Sequence, residues 1–380
     1  MKIWICLCTA VLSYQNIHAQ SAKIDTEKLL EYYENQRYDD AARYLQSFYT
    51  ENTQDIKALS QIAYCNMMAG KLPEAEKSYL KINALQPDHI STLFSLTSIN
   101  SRRGNASKAK SYLQQIIGLD SLNFNAYKQL AGYEDNSEAK LKYLKKANTL
   151  KATDPDVAYD LSQVYRELKQ YQTAYGVLKT AISADPENFI LQQAQLPISN
   201  LLGKYLEVIE IGEKLLKINA DPNIINDIGQ AYFYVKDYQK CINMYKILED
   251  LGIQNEGTLY YMALSYRELK DYDKAALYAQ KTIDEAISDH TPLYYAALAG
   301  IYEDKNQYND ALTAYKRGLT FSQNNIIYYR MALLYDLNLK QTKNAVNSYQ
   351  MYLKNKPDQE KEKQQIEYAK QRITTLAAIK

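Results

Sequence analysis

Small and apolar residues return along this chain with a period close to 34. Two stretches show it most plainly, Tyr165-Arg166-Glu167-Leu168-Lys169-Gln170-Tyr171-Gln172-Thr173-Ala174 and Tyr266-Arg267-Glu268-Leu269-Lys270-Asp271-Tyr272-Asp273-Lys274-Ala275. Setting the residue equivalent to Ala174 in register gives Ala41, Ala75, Ala109, Ala139, Ala174, Val208, Cys241, Ala275, Ala311 and Ala345. Their spacings are 34, 34, 30, 35, 34, 33, 34, 36 and 34 residues. A second small residue falls 12 positions earlier at Ala63, Ser162, Gly229, Ala263 and Ala299, and slips by one, to Ala332, in the tenth copy. A tyrosine often follows three residues later, as Tyr165, Tyr232, Tyr266, Tyr302 and Tyr335. A fixed period of this length predicts stacked helical hairpins.

Packing explains the pattern. Small side chains where two antiparallel helices cross let the backbones approach closely. Tyrosine and leucine then fill the space around the crossing at i, i+3 and i+4. One hairpin cannot bury its apolar face alone, so stacking on neighbours completes the core. The joints carry start and stop signals. Asp154-Pro155, Asp185-Pro186, Asp221-Pro222 and Thr291-Pro292 each place a capping side chain before a proline suited to the first helical position. Gly70, ahead of Pro73, reads as a helix stop followed by a new start.

These residues resemble the tetratricopeptide repeat, whose pattern is W-x2-L-G-x2-Y, then A-x3-F, then P. The seventh copy reads Ile228-Gly229-Gln230-Ala231-Tyr232, then Cys241-Ile242-Asn243-Met244-Tyr245, and the eighth Met262-Ala263-Leu264-Ser265-Tyr266, then Ala275 and Ala279. The family tryptophan is missing, the single Trp being Trp4. The resemblance implies an all-α, right-handed α-solenoid of about ten helix-turn-helix units over residues 22–357. The tail, 358–380, places Ile366, Ala369, Ile373 and Leu376 on one helical face and reads as a capping helix.

Two copies depart from the pattern. The fourth is about four residues short between Ala131 and Ala139, which predicts a tighter hairpin turn. The sixth has Pro197 inside its first helix, Val208 at the alanine position and Gly212 in its second helix. An interior proline predicts a kink there, with a bend of the array or a local distortion as its two outcomes.

Residues 1–19 stand apart. Lys2 precedes an apolar run, Ile3 to Leu12, and Ile17-His18-Ala19 offers a small residue before a cut. This layout predicts a secretory signal peptide with a mature chain from Gln20. Ile5 and Leu7, ahead of Cys6 and Cys8, are too large for a lipidation site. Lys2 carries the leader's one charge, so its loss takes the formal charge from +1 to 0. A neutral chain offers no general attraction for nucleic acid or anionic lipid. No other stretch reaches the roughly 18 apolar residues of a membrane span. The remaining cysteines, Cys65 and Cys241, lie some five copies apart, too far for a disulfide in a stack where only neighbours touch.

Little points to chemistry. His89 and His290 lie in joints, without metal-ligand spacing, and no nucleophile, phosphate-binding or dinucleotide motif occurs. The lysines from Lys140 to Lys151 share a helix with inward Leu141, Leu144 and Ala147 and read as a solvated face. The reading is therefore of no enzyme, metal or cofactor, and of no small-molecule ligand. In the family, the first helix of each unit lines a concave groove. The matching positions here are Tyr64, Met67, Tyr159, Gln163, Arg166, Asn226, Gln230, Phe233, Tyr234, Tyr260 and Arg267. Aromatics mixed with arginine and amides suit an extended peptide. The Lys/Asn clamp that some family members use for a terminal carboxylate is not matched, since Tyr159/Gln163, Asn226/Gln230 and Tyr260/Leu264 stand there. The expectation is an exported scaffold, periplasmic or envelope-associated, that binds protein partners in assembly or maintenance of an envelope complex. The alternative is a groove that stacks on glycans or cell-wall fragments.

Overall fold

The computed structural model describes residues 24–286 and 289–378. The predicted leader lies outside them. Every regular element among the described residues is helical. Contacts divide the chain into two bodies, one ending at Ala152 and the other beginning at Thr153. The first contains α1 (Thr26–Glu34), α2 (Tyr38–Gln46), α3 (Ile56–Met68), α4 (Leu72–Leu85), α5 (Ile90–Arg102), α6 (Ala106–Leu119), α7 (Phe124–Ala131) and α8 (Ser137–Leu150). The second contains α9 (Pro155–Glu167), α10 (Tyr171–Ala184), α11 (Phe189–Leu201), α12 (Tyr205–Leu216), α13 (Pro222–Tyr234), α14 (Tyr238–Asp250), α15 (Glu256–Glu268) and α16 (Tyr272–Glu285). It continues with α17 (Thr291–Asp304), α18 (Tyr308–Leu319), α19 (Asn325–Leu333), α20 (Thr342–Lys354) and α21 (Lys363–Ala377). Consecutive odd and even helices pair as hairpins, and each hairpin packs on the next within its body, as in an α-solenoid.

The small residues do what their spacing predicts. Ala41, Ala75, Ala109, Ala174, Val208, Cys241, Ala275, Ala311 and Ala345 are all fully buried. So are Ala63, Ser162, Gly229, Ala263, Ala299 and Ala332. A methyl group on Gly229 would lie 2.6 Å from the Tyr245 ring, so this crossing has room for hydrogen only. Tyr245, Tyr315, Tyr349 and Tyr352 are among the largest fully buried side chains. Each finds an acceptor for its hydroxyl: Asn226 O, Glu303, Asp336 and Glu362 respectively. That is what allows a phenol inside a core.

A second regularity governs the turns. Gln36, Gly70, Gly104, Lys169, Gly203, Lys236, Lys270, Asn306 and Lys340 have left-handed backbone, each five residues before its buried small residue. Each lies in a three-residue connection between paired helices. In most of these hairpins the next N–H bonds back six-to-one to the first helix, as Gln170 does to Tyr165 O at 2.8 Å and Asp271 to Tyr266 O at 2.9 Å.

Hairpin four lacks this turn, and the predicted tightening does not occur. Its connection is the longer one, five residues from Gly132 to Asn136. The missing residues come out of α7, which has 8 where α9 has 13. Gly132, Tyr133 and Glu134 close the helix with i→i−3 bonds instead. Ala139 consequently has no helix end across from it and is only half-buried.

Hairpin ten shows the opposite change. Its slipped alanine, Ala332, marks one extra residue, and α19 passes into a π-helical turn at Leu334–Asn338 that absorbs it. Pro197 does not interrupt α11, which runs through it for 13 residues. At the joints, Asp154 and Asp221 cap α9 and α13 as expected. The other two Pro dipeptides do not act as caps. Asn188 caps α11, its side chain accepting from Leu191 N–H, while Asp185 ends α10. His290 holds the N-cap position of α17, whose first turn already includes Thr291.

Helix α21 lays Ile366, Ala369 and Leu376 against the core of the second body, with Ile373 partly buried beside them. Arg372 on this helix forms a two-point ion pair with buried Asp336 in the π-helical turn. Among the described residues no helix is long and apolar enough to cross a membrane.

Candidate functional site

In the second body, the first helices of hairpins five, six and seven line three adjoining clefts. One of about 330 Å³ is lined by Pro155, Asp156, Tyr159, Asp160, Asn188, Ile190 and Leu191. Tyr159 and Ile190 continue into a cleft of about 410 Å³, with Gln163, Arg166, Gln193 and Asn226. Arg166, Pro197 and Asp227 then form its shared wall with a third, of about 600 Å³, that includes Tyr171, Asn200, Leu201, Tyr205, Gln230 and Tyr234. The result is one trough across α9, α11 and α13.

Six residues expected in a groove come together here: Tyr159, Gln163, Arg166, Asn226, Gln230 and Tyr234. Phe233 packs against Tyr234, Tyr238 and Tyr261, with centroids 5.0–5.7 Å apart. Tyr260 contacts Tyr261 and Tyr294, and burial raises its phenol above the usual range. Arg267 ties α15 to α17, donating from Nε to Asp304 at 2.5 Å and from Nη2 to Gly300 O at 3.3 Å. Tyr64 and Met67 lie on α3 in the first body, Tyr64 exposed and edge-on to Tyr38 at 6.1 Å, Met67 half-buried against the local core. That body has its own polar cleft of about 440 Å³ between α5 and α7, with Ser98, Arg102, Asn125 and Gln129 in its lining.

Arg166 and Arg267 are equivalent residues of the repeat, but their surroundings differ. Counting from the left-handed turn residues Asn306 and Gly203, the place of Asp304 in hairpin nine is taken in hairpin six by Leu201, and that of Gly300 by Pro197. Arg166 therefore has no counterpart of the Asp304 carboxylate. Among the described residues its side chain makes no hydrogen bond or ion pair, and it stays half-buried on the wall of the trough.

Asp227 faces it from α13. Burial pushes this carboxyl up to about 7, against the opposing influence of Asn200, which donates from Nδ2 to Oδ1 at 3.3 Å, and of the Arg166 charge. Asn200 also donates to Asp227 O at 3.0 Å, and its own Oδ1 is buried with no donor. Asp227 on α13 and Asn200 on α11 escape a reading by motif. The usable signal was the run of polar residues in a buried helix, Gln195, Ser199 and Asn200, around Pro197. Cys65 and Cys241 are buried free thiols, and burial pushes Cys241 up to about 12, which keeps it inert. No group of histidine, cysteine and carboxylate side chains among the described residues could hold a metal ion.

Residues 155–188, 258–286 and 327–358 match sequence models of the tetratricopeptide repeat. Those three stretches are tetratricopeptide repeats. Several solved structures are similar to parts of this chain. A tetratricopeptide repeat protein from Parabacteroides merdae is 15% identical, with 65% of this chain and 98% of that one covered and a TM-score of 0.43. The C-terminal part of a TPR repeat-containing protein from Cytophaga hutchinsonii is 17% identical over 69% and 95%, with a TM-score of 0.46. A human IFIT1 dimer with PPP-AAAA is 13% identical over 92% and 86%, also with a TM-score of 0.46. No curated protein matches this chain. Tetratricopeptide repeats form scaffolds for protein interaction.

Proposed function

We propose that this protein is an exported, non-enzymatic scaffold that holds an extended segment of a partner protein in the trough across α9, α11 and α13, within an envelope complex that it helps assemble or maintain. The observation that carries this reading is the trough itself. Three consecutive repeats pool tyrosines, side-chain amides and one unpaired arginine along a continuous depression. Rings supply apolar contact with few rotors to freeze, while amides and arginine meet the polar backbone of a bound segment. The leader-like residues 1–19 support export.

Photo-crosslinking in the native envelope tests this, with a benzophenone amino acid placed at Tyr159, at Tyr234, or at Lys179 on the second helix of hairpin five. A discrete protein captured from Tyr159 and Tyr234 but not from Lys179 is the expected result. Equal capture from all three positions removes the trough as the interface. Capture of no protein, with salt-resistant binding of purified envelope glycan, replaces this reading with the glycan one.

A further inference from the structure

We propose that the groove between α16 and α18 docks one amphipathic helix of a partner protein, a helix that carries an acidic residue and, seven residues on, a basic one. This surface shares no residue with the trough and stands independently of it.

The groove exists because side chains that tie second helices together elsewhere are missing here. Such bridges join α10 to α12 and α14 to α16. In the first, Glu207 accepts from the Tyr175 hydroxyl at 2.9 Å and pairs with Lys179 at 3.5 Å. In the second, Glu249 accepts from the Tyr278 hydroxyl at 2.8 Å and from Lys281 at 2.6 Å. Counted from the buried small residue of each hairpin, Asp310 on α18 is the equivalent of Glu207, but Ala276 and Gln280 stand where Tyr175 and Lys179 would be. Arg317 is the equivalent of Lys281, but Ile283 replaces Glu249, and Ala314 replaces Tyr278. Both bridges are lost, and two phenol rings go with them. What remains is a hollow of about 350 Å³ floored by Tyr295, Leu298 and Tyr302 of α17. Lys305, in the turn before α18, still reaches Asp273 of α16 at 2.7 Å.

Charge complementarity selects the occupant. Asp310 and Arg317 are exposed on the α18 wall, and among the described residues neither makes an ion pair or a side-chain hydrogen bond. They lie two helical turns apart, about 10.5 Å along α18. A helix laid alongside repeats that spacing on its own face at i and i+7. The two signs also suit the ends of the α18 dipole, but that leaves the missing rings and the lost partners unexplained.

Backbone chemistry favours a helix over an extended segment. The Thr313 hydroxyl is spent on Asn309 O and the Gln280 amide on Asp284. The hollow then offers mainly rings and aliphatic carbon, and Phe321, stacked on Tyr295 at 5.7 Å, extends this surface past Arg317. An extended chain would leave its N–H and C=O groups unmet there, whereas a helix satisfies them internally. An acid ahead of a base suits the ends of the partner helix itself. Meeting Arg317 and Asp310 in that order sets it antiparallel to α18, with the two macrodipoles opposed.

The test uses the full mature chain and labelled, acetylated and amidated alanine-rich peptides of about 18 residues, long enough to form helices. They carry Glu at i and Lys at i+7, or the reverse, with leucines at i+3 and i+4 on the same face. The Glu-first peptide should bind about tenfold more tightly than the reverse, the worth of two exposed ion pairs. The exchange Asp310→Arg with Arg317→Asp should invert that preference. Ala276→Tyr with Gln280→Lys rebuilds the α10–α12 bridge around Asp310. It should weaken both peptides about tenfold or more without lowering the melting temperature. Three results would each overturn the proposal: no binding by either peptide, binding indifferent to charge order, and equal binding of a Glu-first peptide broken by a central proline, which would assign the groove to an extended segment.

Discussion

Arg372 donates two hydrogen bonds to Asp336, from Nε at 2.8 Å and Nη2 at 2.7 Å, and so joins the last helix to the π-helical turn of the last hairpin. Asp336 is buried, and the bond to Arg372 holds its carboxyl below the ordinary carboxylate range despite that burial. Arg372→Met leaves this carboxylate without its cation. The expected loss in urea unfolding is about 2–4 kcal/mol, at the lower side of the range for buried pairs because Arg372 is partly exposed. Hydrogen exchange should show α21 opening first. The stabilisation is present above the unfolded value near 4 and is lost as pH falls through the lower folded value. A wild-type α21 no easier to open at pH 3 than at pH 6 would contradict the pairing.

Asp227 runs the other way. Its folded pKa, about 7, lies above the ordinary value, so its contribution to stability is greatest in acid and is lost as pH rises towards 7. Asp227→Asn removes a group that must ionise in a buried place. The stability of the variant relative to wild type should increase by roughly 2 kcal/mol between pH 5 and pH 8. Parallel pH profiles for the two proteins would show that Asp227 is not the group responsible.

Two glycines in second-body helices should respond in opposite senses to alanine. Gly229→Ala drives a methyl into the Tyr245 ring and should destabilise by about 1–3 kcal/mol. Gly176, on the exposed side of α10, has nothing within 4 Å of an added methyl. Gly176→Ala should stabilise by about 0.5–1 kcal/mol through helix propensity. Thermal unfolding of both variants compares them directly.

The left-handed turn position offers a gain. Lys270 has φ +64° where Gly70, Gly104 and Gly203 stand in their own hairpins. Lys270→Gly relieves the contact between Cβ and the carbonyl that disfavours this conformation, and should stabilise by about 1 kcal/mol. A lower melting temperature in Lys270→Gly would mean that the lysine stem makes packing contacts that outweigh the strain.

Much of the fold was legible in the sequence because it depends on spacing. A period near 34 residues locates ten small residues, and nine are fully buried. The tenth, Ala139, was placed in register without a sign that its partner helix stops early. Loop length and helix length trade off freely in a deletion, and residue counting cannot tell them apart. The candidate site was legible in part. Tyr159, Gln163, Arg166, Asn226, Gln230 and Tyr234 share a trough, as positions on first helices should. That Arg166 is unpaired while Arg267 is bonded is decided two helices away, by Leu201 against Asp304, and no local motif carries that difference.

One residue added to an α-helix rotates everything beyond it by about 100° and advances it about 1.5 Å. In the tenth hairpin that phase error is cancelled between Ala332 and Lys340, inside the wide turn at Leu334–Asn338. Lys340 still precedes Ala345 by five, Ala345 is still buried, and α21 still meets the stack with Ile366 and Leu376 facing inward. A chain built from such hairpins can therefore change length by a fraction of a repeat at one point and keep the angular setting of every helix downstream.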